Sequence, residues 1–294
     1  MQNRSKYRLI FAPIPLPEEV PLLRTGFYEQ QDREITYLHR HDRIELGYCY
    51  SGEGIFLVEN KVLPFRSGDA TVIPAGAPHL ARSTPGSVSR WRWLYADFDR
   101  LLRPAFPRFD PGFLRRLRGA GFANLFPAGE SELPRLLHRL FEAGNRIEEL
   151  TALSTLIALE IRDRIENADL PPPDEEGEAA GERIAAAIHY LGNHYPEPVS
   201  LKRAAALCSL SMVHFRRLLR RATGHAPLEY LNLLRIAAAR GELENRRMPV
   251  SEVAVRCGFR TLSSFNRQFR IHTGMSPREY RRHPERFRDP NSAG

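Results

Sequence analysis

Apolar side chains change rhythm twice along this chain, and the changes divide it. In the first hundred residues they come in short β-rich runs, Ile44 to Tyr50, Gly54 to Glu59 and Ala70 to Ile73, bounded by Gly, Ser, Asn and Pro. Runs of that length between such breakers predict the strands of an antiparallel sheet. Trp91, Trp93 and Tyr95 alternate with Arg90, Arg92 and Leu94, the period of two of a strand with unlike faces. From about residue 130 to 168 the spacing becomes three and four. Leu133, Leu136, Leu137, Leu140 and Phe141 form one stripe, and Leu150, Leu153, Ile157, Ile161 and Ile165 form another, which predicts two amphipathic helices. The second stripe is a candidate face for pairing with a second copy of the chain. Residues 168–181 break the pattern with Pro171 to Pro173, acidic residues and glycines, and almost no large apolar side chain. That composition predicts a linker, so residues 1–167 and 182–294 are read as two domains, as the length alone suggests.

Beyond the linker the helical spacing returns, written twice. At an offset of fifty, Ala204 falls on Ala254, Phe215 on Phe265, Arg217 on Arg267, Arg220 on Arg270, Thr223 on Thr273, Gly224 on Gly274, Pro227 on Pro277 and Tyr230 on Tyr280. One pair of short helices cannot bury its own apolar face, so the duplication predicts two small helical modules packed in tandem. Each module has the spacing of a helix-turn-helix. Ser200 and Ser251 are candidate N-caps, and Cys208 and Gly258 fall in the turns. In the second helix of each module Phe215, Leu218, Leu219 and Ala222, or Leu262, Phe265 and Phe269, are expected to pack inward. Val213, Arg216, Arg217 and Arg220, and in the other module Ser263, Asn266, Arg267 and Arg270, are left outward. Between the modules, residues 227–240 read as a helix of about 21 Å at 1.5 Å per residue.

The outward side chains suit DNA. Arginine can bond guanine through O6 and N7 together, asparagine can do the same to adenine, and Val213 can touch a thymine methyl. Arg220 and Arg270, further along each helix, suit phosphate. Charge agrees: residues 182–294 hold 20 Lys and Arg against 9 Asp and Glu, while residues 1–181 hold 23 against 26, so the net +8 comes from the repeat. Positive charge gathered in one domain is the electrostatic footprint of nucleic-acid binding. Residues 182 to 285 in fact resemble the DNA-binding domain of the AraC/XylS family of bacterial transcription regulators. The resemblance rests on Ala254, Gly258, Phe259, Phe265, Arg267, Phe269, Thr273, Gly274, Pro277, Tyr280 and Arg281. It implies seven helices and recognition through the two faces just named. Cys208 stands where that pattern usually has glycine in the first turn, and Leu219 where phenylalanine is commoner.

In the front half, His39, Arg40, His41, Glu45 and Gly52, followed by Gly68, Pro74, Ala75, Gly76 and His79, resemble the paired motifs of the cupin barrel. The expected architecture is therefore α+β in two domains: an N-terminal cupin-like β-barrel with flanking helices, and a C-terminal all-α tandem helix-turn-helix domain. On a continuous strand His39, His41 and Glu45 would point one way, with His79 joining from a neighbour. These four either shape a pocket for a small-molecule effector, with no cofactor required, or hold a divalent metal. Trp91, Trp93 and Tyr95 join the effector site as platforms for a sugar or another flat ligand.

Cys49, Cys208 and Cys257 are scattered and odd in number, which predicts no disulfide framework and a reducing cytoplasm. No apolar run approaches the ~20 residues of a membrane span. The expectation is a cytoplasmic, ligand-responsive transcription regulator rather than an enzyme. Its expected partners are double-stranded DNA, a small-molecule effector, a second copy in a homodimer and RNA polymerase, with no membrane. The competing class is a cupin metalloenzyme or metal sensor fused to a DNA-binding domain.

Overall fold

A computed structural model of the chain describes residues 8–19, 21–32, 37–59, 61–118, 122–167, 175–244 and 248–284. The first part is built from strands: β1 (Arg8–Phe11), β2 (Leu22–Arg24), β3 (Tyr28–Gln30), β4 (Tyr37–Arg40), β5 (Ile44–Ser51), β6 (Glu53–Val58), β7 (Lys61–Arg66), β8 (Ala70–Ile73), β9 (His79–Ser83) and β10 (Ser89–Ala96). Helix α1 (Phe98–Leu102), a 3₁₀ segment (Pro111–Leu117) and the short β11 (Leu125–Phe126) follow. One sheet has the order β1-β4-β9-β6-β7, the other β11-β8-β5-β10-β2, with β3 also on β10. Successive strand residues face opposite ways, so each sheet sorts its side chains. Cys49, Phe56, Val58, Phe65, Ile73, Ala81 and Trp91 form the interior cluster.

The outward residues of the two sheets meet different partners. Leu46, Val72, Leu94 and Ala96 pack with α1, α2 (Leu133–Glu142) and α3 (Ile147–Glu166). Leu137 and Leu140 of the first predicted stripe are buried there, as are Leu150, Leu153, Ile157, Ile161 and Ile165 of the second. The second stripe, expected as a pairing face for another copy, is therefore used within its own domain. Leu38, Ile55, Leu57, Val62 and Leu80, outward from the other sheet, share one cluster with the C-terminal helices.

The expected linker is shorter than the sequence suggested. Helix α4 runs Glu175–His194, so the second half of the 168–181 segment is helical, while residues 168–174 lie outside the described residues. Alanines favour helix and acidic residues favour its first turn, and Ala180 and Ile184 bury their side chains. Then come α5 (Leu201–Leu207), α6 (Met212–Thr223), α7 (Pro227–Glu244), α8 (Val250–Arg256), α9 (Leu262–Thr273) and α10 (Pro277–Arg282). From α4 onward these are the seven helices that the family resemblance implied. Helix α7 has 18 residues, which makes it about 27 Å long. Leu228 in its first turn and Leu262 at the start of α9 are exposed rather than inward.

The repeat holds at an offset of fifty for the second helices and for the starts of α7 and α10, but not for the first helices. Helices α5 and α8 begin at Leu201 and Val250, an offset of 49. Cys208 thus matches Cys257, both being C-caps, and the residue opposite Gly258 (φ 87°) is Ser209 (φ 55°). The glycine position of the first turn is filled by Ser209, not Cys208. Two equivalent bonds fix the register: Leu210 N–H donates to Ala205 O at 3.1 Å and Phe259 N–H to Ala254 O at 2.9 Å. Ser200 caps α5 as expected, accepting from Arg203 N, but Ser251 lies inside α8, whose N-cap position is Pro249. Among the described residues no helix is long and apolar enough to cross a membrane, and the three cysteines are free.

Candidate functional site

Helices α6 and α9 are held alike. Ser211 caps α6 by accepting from His214 N, and Thr261 caps α9 by accepting from Ser264 N. Each helix ends in a left-handed glycine at φ 75°, Gly224 or Gly274, whose N–H bonds to the carbonyl of Arg220 or Arg270, a stop that needs no Cβ. Phe215, Leu218, Leu219 and Ala222 are buried from α6, and Phe265, Phe269 and Thr273 from α9. Val213, Arg216, Arg217 and Arg220 on one helix, and Ser263, Asn266, Arg267 and Arg270 on the other, are all exposed. Val213 is 78% exposed, on the same side of α6 as the arginines. Arg217 Nη2 lies 3.2 Å from His214 Nε2, so a histidine that the spacing did not single out borders the first face.

In the barrel, His39, His41, Glu45 and His79 do converge, by a different route from the one the spacing suggested. His39, His41 and Glu45 do not lie on one strand, while His79 does join from a neighbouring one. His39 is on β4, His41 follows its end, and Glu45 is on β5 of the other sheet; β9 sets His79 directly opposite His39. The bend at residues 41–43 brings the two sheets' donors together. One ligand atom from each residue lies within 4.8 Å of all the others. Glu45 Oε2 is 2.5 Å from His41 Nε2 and 3.2 Å from His79 Nε2. The ring centroids of His39 and His79 are 4.2 Å apart, and those of His41 and His79 are 4.7 Å apart. His79 Nδ1 lies 2.9 Å from Ala77 O; a carbonyl only accepts, so Nδ1 carries a proton and Nε2 is the nitrogen turned toward the cluster.

These groups are buried, with His41, Glu45 and His79 all nearly inaccessible. His41 Nε2, Glu45 Oε2 and His79 Nε2 face one another away from water, with the Glu45 carboxylate at the centre of the group. Burial, then the neighbouring His79, pushes His39 down to about 3, so it is neutral at physiological pH. Burial alone would raise the Glu45 carboxyl, but His79, His41 and His39 together hold it below its ordinary value. Burial also lowers His41, and neutral His39 and His41 imidazoles beside an ionised carboxylate are donors of the kind a divalent transition ion requires.

The aromatic stripe divides. Trp91 is fully buried, stacked on Trp93 at 4.9 Å and edge-on to Phe65 at 4.8 Å, with its Nε1–H donated to Ser89 Oγ at 3.1 Å. It belongs to the interior packing rather than to a ligand platform. Trp93 lies across Gly47, where an added Cβ would stand 2.2 Å from the ring. Tyr95 alone of the three adjoins the cluster, its ring centroid 5.2 Å from His41.

Sequence reasoning missed the contacts between the two parts. Arg82 on β9, 7% exposed, donates from Nη1 to Gly192 O of α4 at 3.2 Å and lies over the Tyr195 ring. Arg40 on β4 pairs with Glu182 of α4 at 3.3 Å. Arg256 of α8 bonds the buried Glu242 of α7 at 3.0 Å and also reaches Pro85 O in the β9–β10 turn. A lone arginine in a strand has no periodicity that would reveal such a partner.

Residues 204–283 match the profile of a helix-turn-helix domain, and residues 23–159 match the AraC-like ligand binding domain. The chain is 26% identical over 265 residues to the HTH-type transcriptional activator RhaS of Shigella sonnei, covering 85% of this chain and 88% of that one. It is 27% identical over 251 residues to the RhaS of Escherichia fergusonii, with coverage of 83% and 86%. A solved DNA-binding domain of AdpA, a global transcriptional factor in complex with a target DNA, is 34% identical over 35% of this chain and 96% of that one, at a TM-score of 0.33. With its sensor and its reader each matched, the chain belongs to the AraC family of transcription regulators, in which a ligand-binding domain is joined to a helix-turn-helix DNA-binding domain.

Proposed function

We propose that this regulator reads DNA with the outward faces of α6 and α9 and answers to a divalent transition-metal ion held by His39, His41, Glu45 and His79. The observation behind the metal reading is the convergence of four donors from both sheets, three of them buried, with one ligand atom of each within 4.8 Å of all the others. Three imidazoles and one carboxylate suit Zn²⁺ or a neighbouring first-row ion. On DNA, Arg216, Arg217, Asn266 and Arg267 would meet base edges, with Val213 and Ser263 beside them, and Arg220 and Arg270 would meet phosphate. The same reading includes a second copy of the chain and RNA polymerase as partners and the cytoplasm as the working compartment. It assigns no catalysis.

Metal analysis tests this most directly. Purified full-length protein should carry close to one equivalent of divalent ion after exposure to Zn²⁺ and desalting. The His41→Ala, His79→Ala double variant should lose it, and the wild type alone should gain thermal stability with added Zn²⁺, because a ligand that binds only the native state stabilises it. If the wild type holds only background metal and an organic molecule such as a sugar stabilises it through the same residues, the ion reading is wrong and the effector is organic.

A further inference from the structure

His39 and His79 face each other as a cross-strand pair on β4 and β9. Alternation along a strand then fixes what their neighbours do. Leu38 and Arg40 flank His39 on the opposite face of β4, and Leu80 and Arg82 lie on the opposite face of β9. That outer face is where α4 sits. Leu38 and Leu80 are 2% and 1% exposed, in one apolar cluster with Ile184, Ile188 and Leu191 of α4. Each strand also sends its arginine to the same helix, Arg40 to Glu182 two turns in and Arg82 to Gly192 O near its end. The fit is close: a Cβ added at Gly192 would stand 2.4 Å from Leu57 Cδ1 on β6.

Helix α4 in turn supports the first reading helix. Ala187 and Ile188 of α4 belong to the same buried cluster as Phe215, Leu218 and Leu219 of α6, and Arg221 at the end of α6 pairs with Glu176 of α4 at 3.1 Å. The two strands that carry histidine ligands on their inner face therefore carry the seat of α4 on their outer face.

We infer that Leu38, Arg40, Leu80 and Arg82 are coupling residues: an ion drawing β4 and β9 together through His39 and His79 resets the seat of α4, and with it the placement of α6 on DNA. The inference rests on the metal reading above and adds the route by which the ion acts. A ligand shifts a conformational equilibrium only by its differential affinity for the two states. Here the difference lies in the spacing of two hydrogen-bonded strands whose outer side chains are already packed. Arg82 is the stronger of the two polar links, because it is buried, whereas the Arg40–Glu182 pair is largely in solvent and screened.

The test measures coupling in full-length protein. A DNA duplex selected from a random pool by the Zn²⁺-loaded protein would be titrated with and without Zn²⁺ in a chelator buffer, and Zn²⁺ affinity would be measured with and without that duplex. In the wild type the two ratios should agree, since linkage makes them equal, at a factor of about 5 or more. Arg82→Ala should keep Zn²⁺ affinity within about threefold of wild type and bring the coupling factor close to one. Gly192→Ala, which sets a Cβ against Leu57 of β6 beside the Arg82 contact, should do the same and guards against misfolding of the strand variant. A coupling factor near one in Zn²⁺-binding wild type would overturn this inference and leave the metal site standing. Absence of Zn²⁺ binding would remove both. Full coupling in both variants would place the route elsewhere and reject the role given to Arg82.

Discussion

On the faces of α6 and α9, Arg217 and Arg220 differ by less than one helical turn, yet the proposed reading gives them different work. Arg217 and its counterpart Arg267 sit mid-helix on the exposed side, where a bidentate contact to guanine discriminates by about 1–3 kcal/mol. Arg220 and Arg270 lie one residue row further, beside the C-terminal glycine stop. Arg217→Ala and Arg267→Ala should each weaken binding to a selected operator by that amount and relax preference at separate base pairs. Arg220→Ala should weaken all sequences alike and reduce the slope of log K against log salt by about one. Competition titrations over several salt concentrations read both; unchanged sequence preference in Arg217→Ala would place base readout elsewhere. The exposure of these eight side chains was legible in the sequence because helical periodicity fixes the outward face once Phe215 and Phe265 are set inward. The barrel residues were only half legible. Spacing put His39, His41 and Glu45 on one continuous strand with His79 from a neighbour; the neighbouring strand is there, but Glu45 comes from the other sheet across a bend that no local pattern encodes. Alternation likewise put Trp91 and Tyr95 on one face, without telling which end of the barrel interior is packed and which adjoins the histidines.

At the scale of the element, the two helix-turn-helix turns solve one problem with different residues. Gly258 has φ 87°, and a Cβ there would stand 2.5 Å from Tyr195 O and 2.8 Å from Pro196 O. Both neighbours are backbone and cannot yield cheaply. Gly258→Ala should cost more than the ~1–3 kcal/mol of left-handed strain alone, and should disturb the seating of α8 beneath α9. Ser209 holds the matching position at φ 55°, where a non-glycine residue bears that strain already. Ser209→Gly should be neutral to stabilising by up to about 1 kcal/mol, the loss of backbone entropy partly offsetting the relief of strain. Urea unfolding of the two variants gives the signs, and a destabilised Ser209→Gly would mean that the serine side chain contributes something beyond filling the turn. The offset of fifty hid this comparison. One more residue separates Gly258 from the Thr261 cap than separates Ser209 from Ser211, so pairing by fixed offset set Cys208 against Gly258. An insertion inside a turn leaves both helices' patterns intact and is invisible until the caps are seen.

At the scale of the whole molecule, composition pointed to a cut between sensor and reader, whereas the structure has them sharing an apolar cluster that runs from Leu38 and Leu57 through α4 to Phe265. Proline and acidic residues marked where the chain leaves the barrel, but the packing of α4 on β4, β6 and β9 is a long-range match that composition does not record. A fragment starting at residue 182 would lack the first two turns of α4, including the buried Ala180, so a fragment of residues 175–294 should be the more stable of the two in urea. Both should be less stable than the full chain, because each uncovers the face of α4 that rests on the barrel. Affinity should behave differently from stability. Counterion release depends on the phosphates neutralised, and the basic excess lies in the reader, with 20 Lys and Arg against 9 Asp and Glu from residue 182 onward. The 175–294 fragment should therefore keep the full-length slope of log K against log salt on the same duplex, while losing every response of DNA binding to Zn²⁺. A clearly shallower slope for the fragment would mean that barrel side chains touch the phosphate backbone. A fragment that still responds to Zn²⁺ would mean that the ion acts on the reader itself, not through His39 and His79.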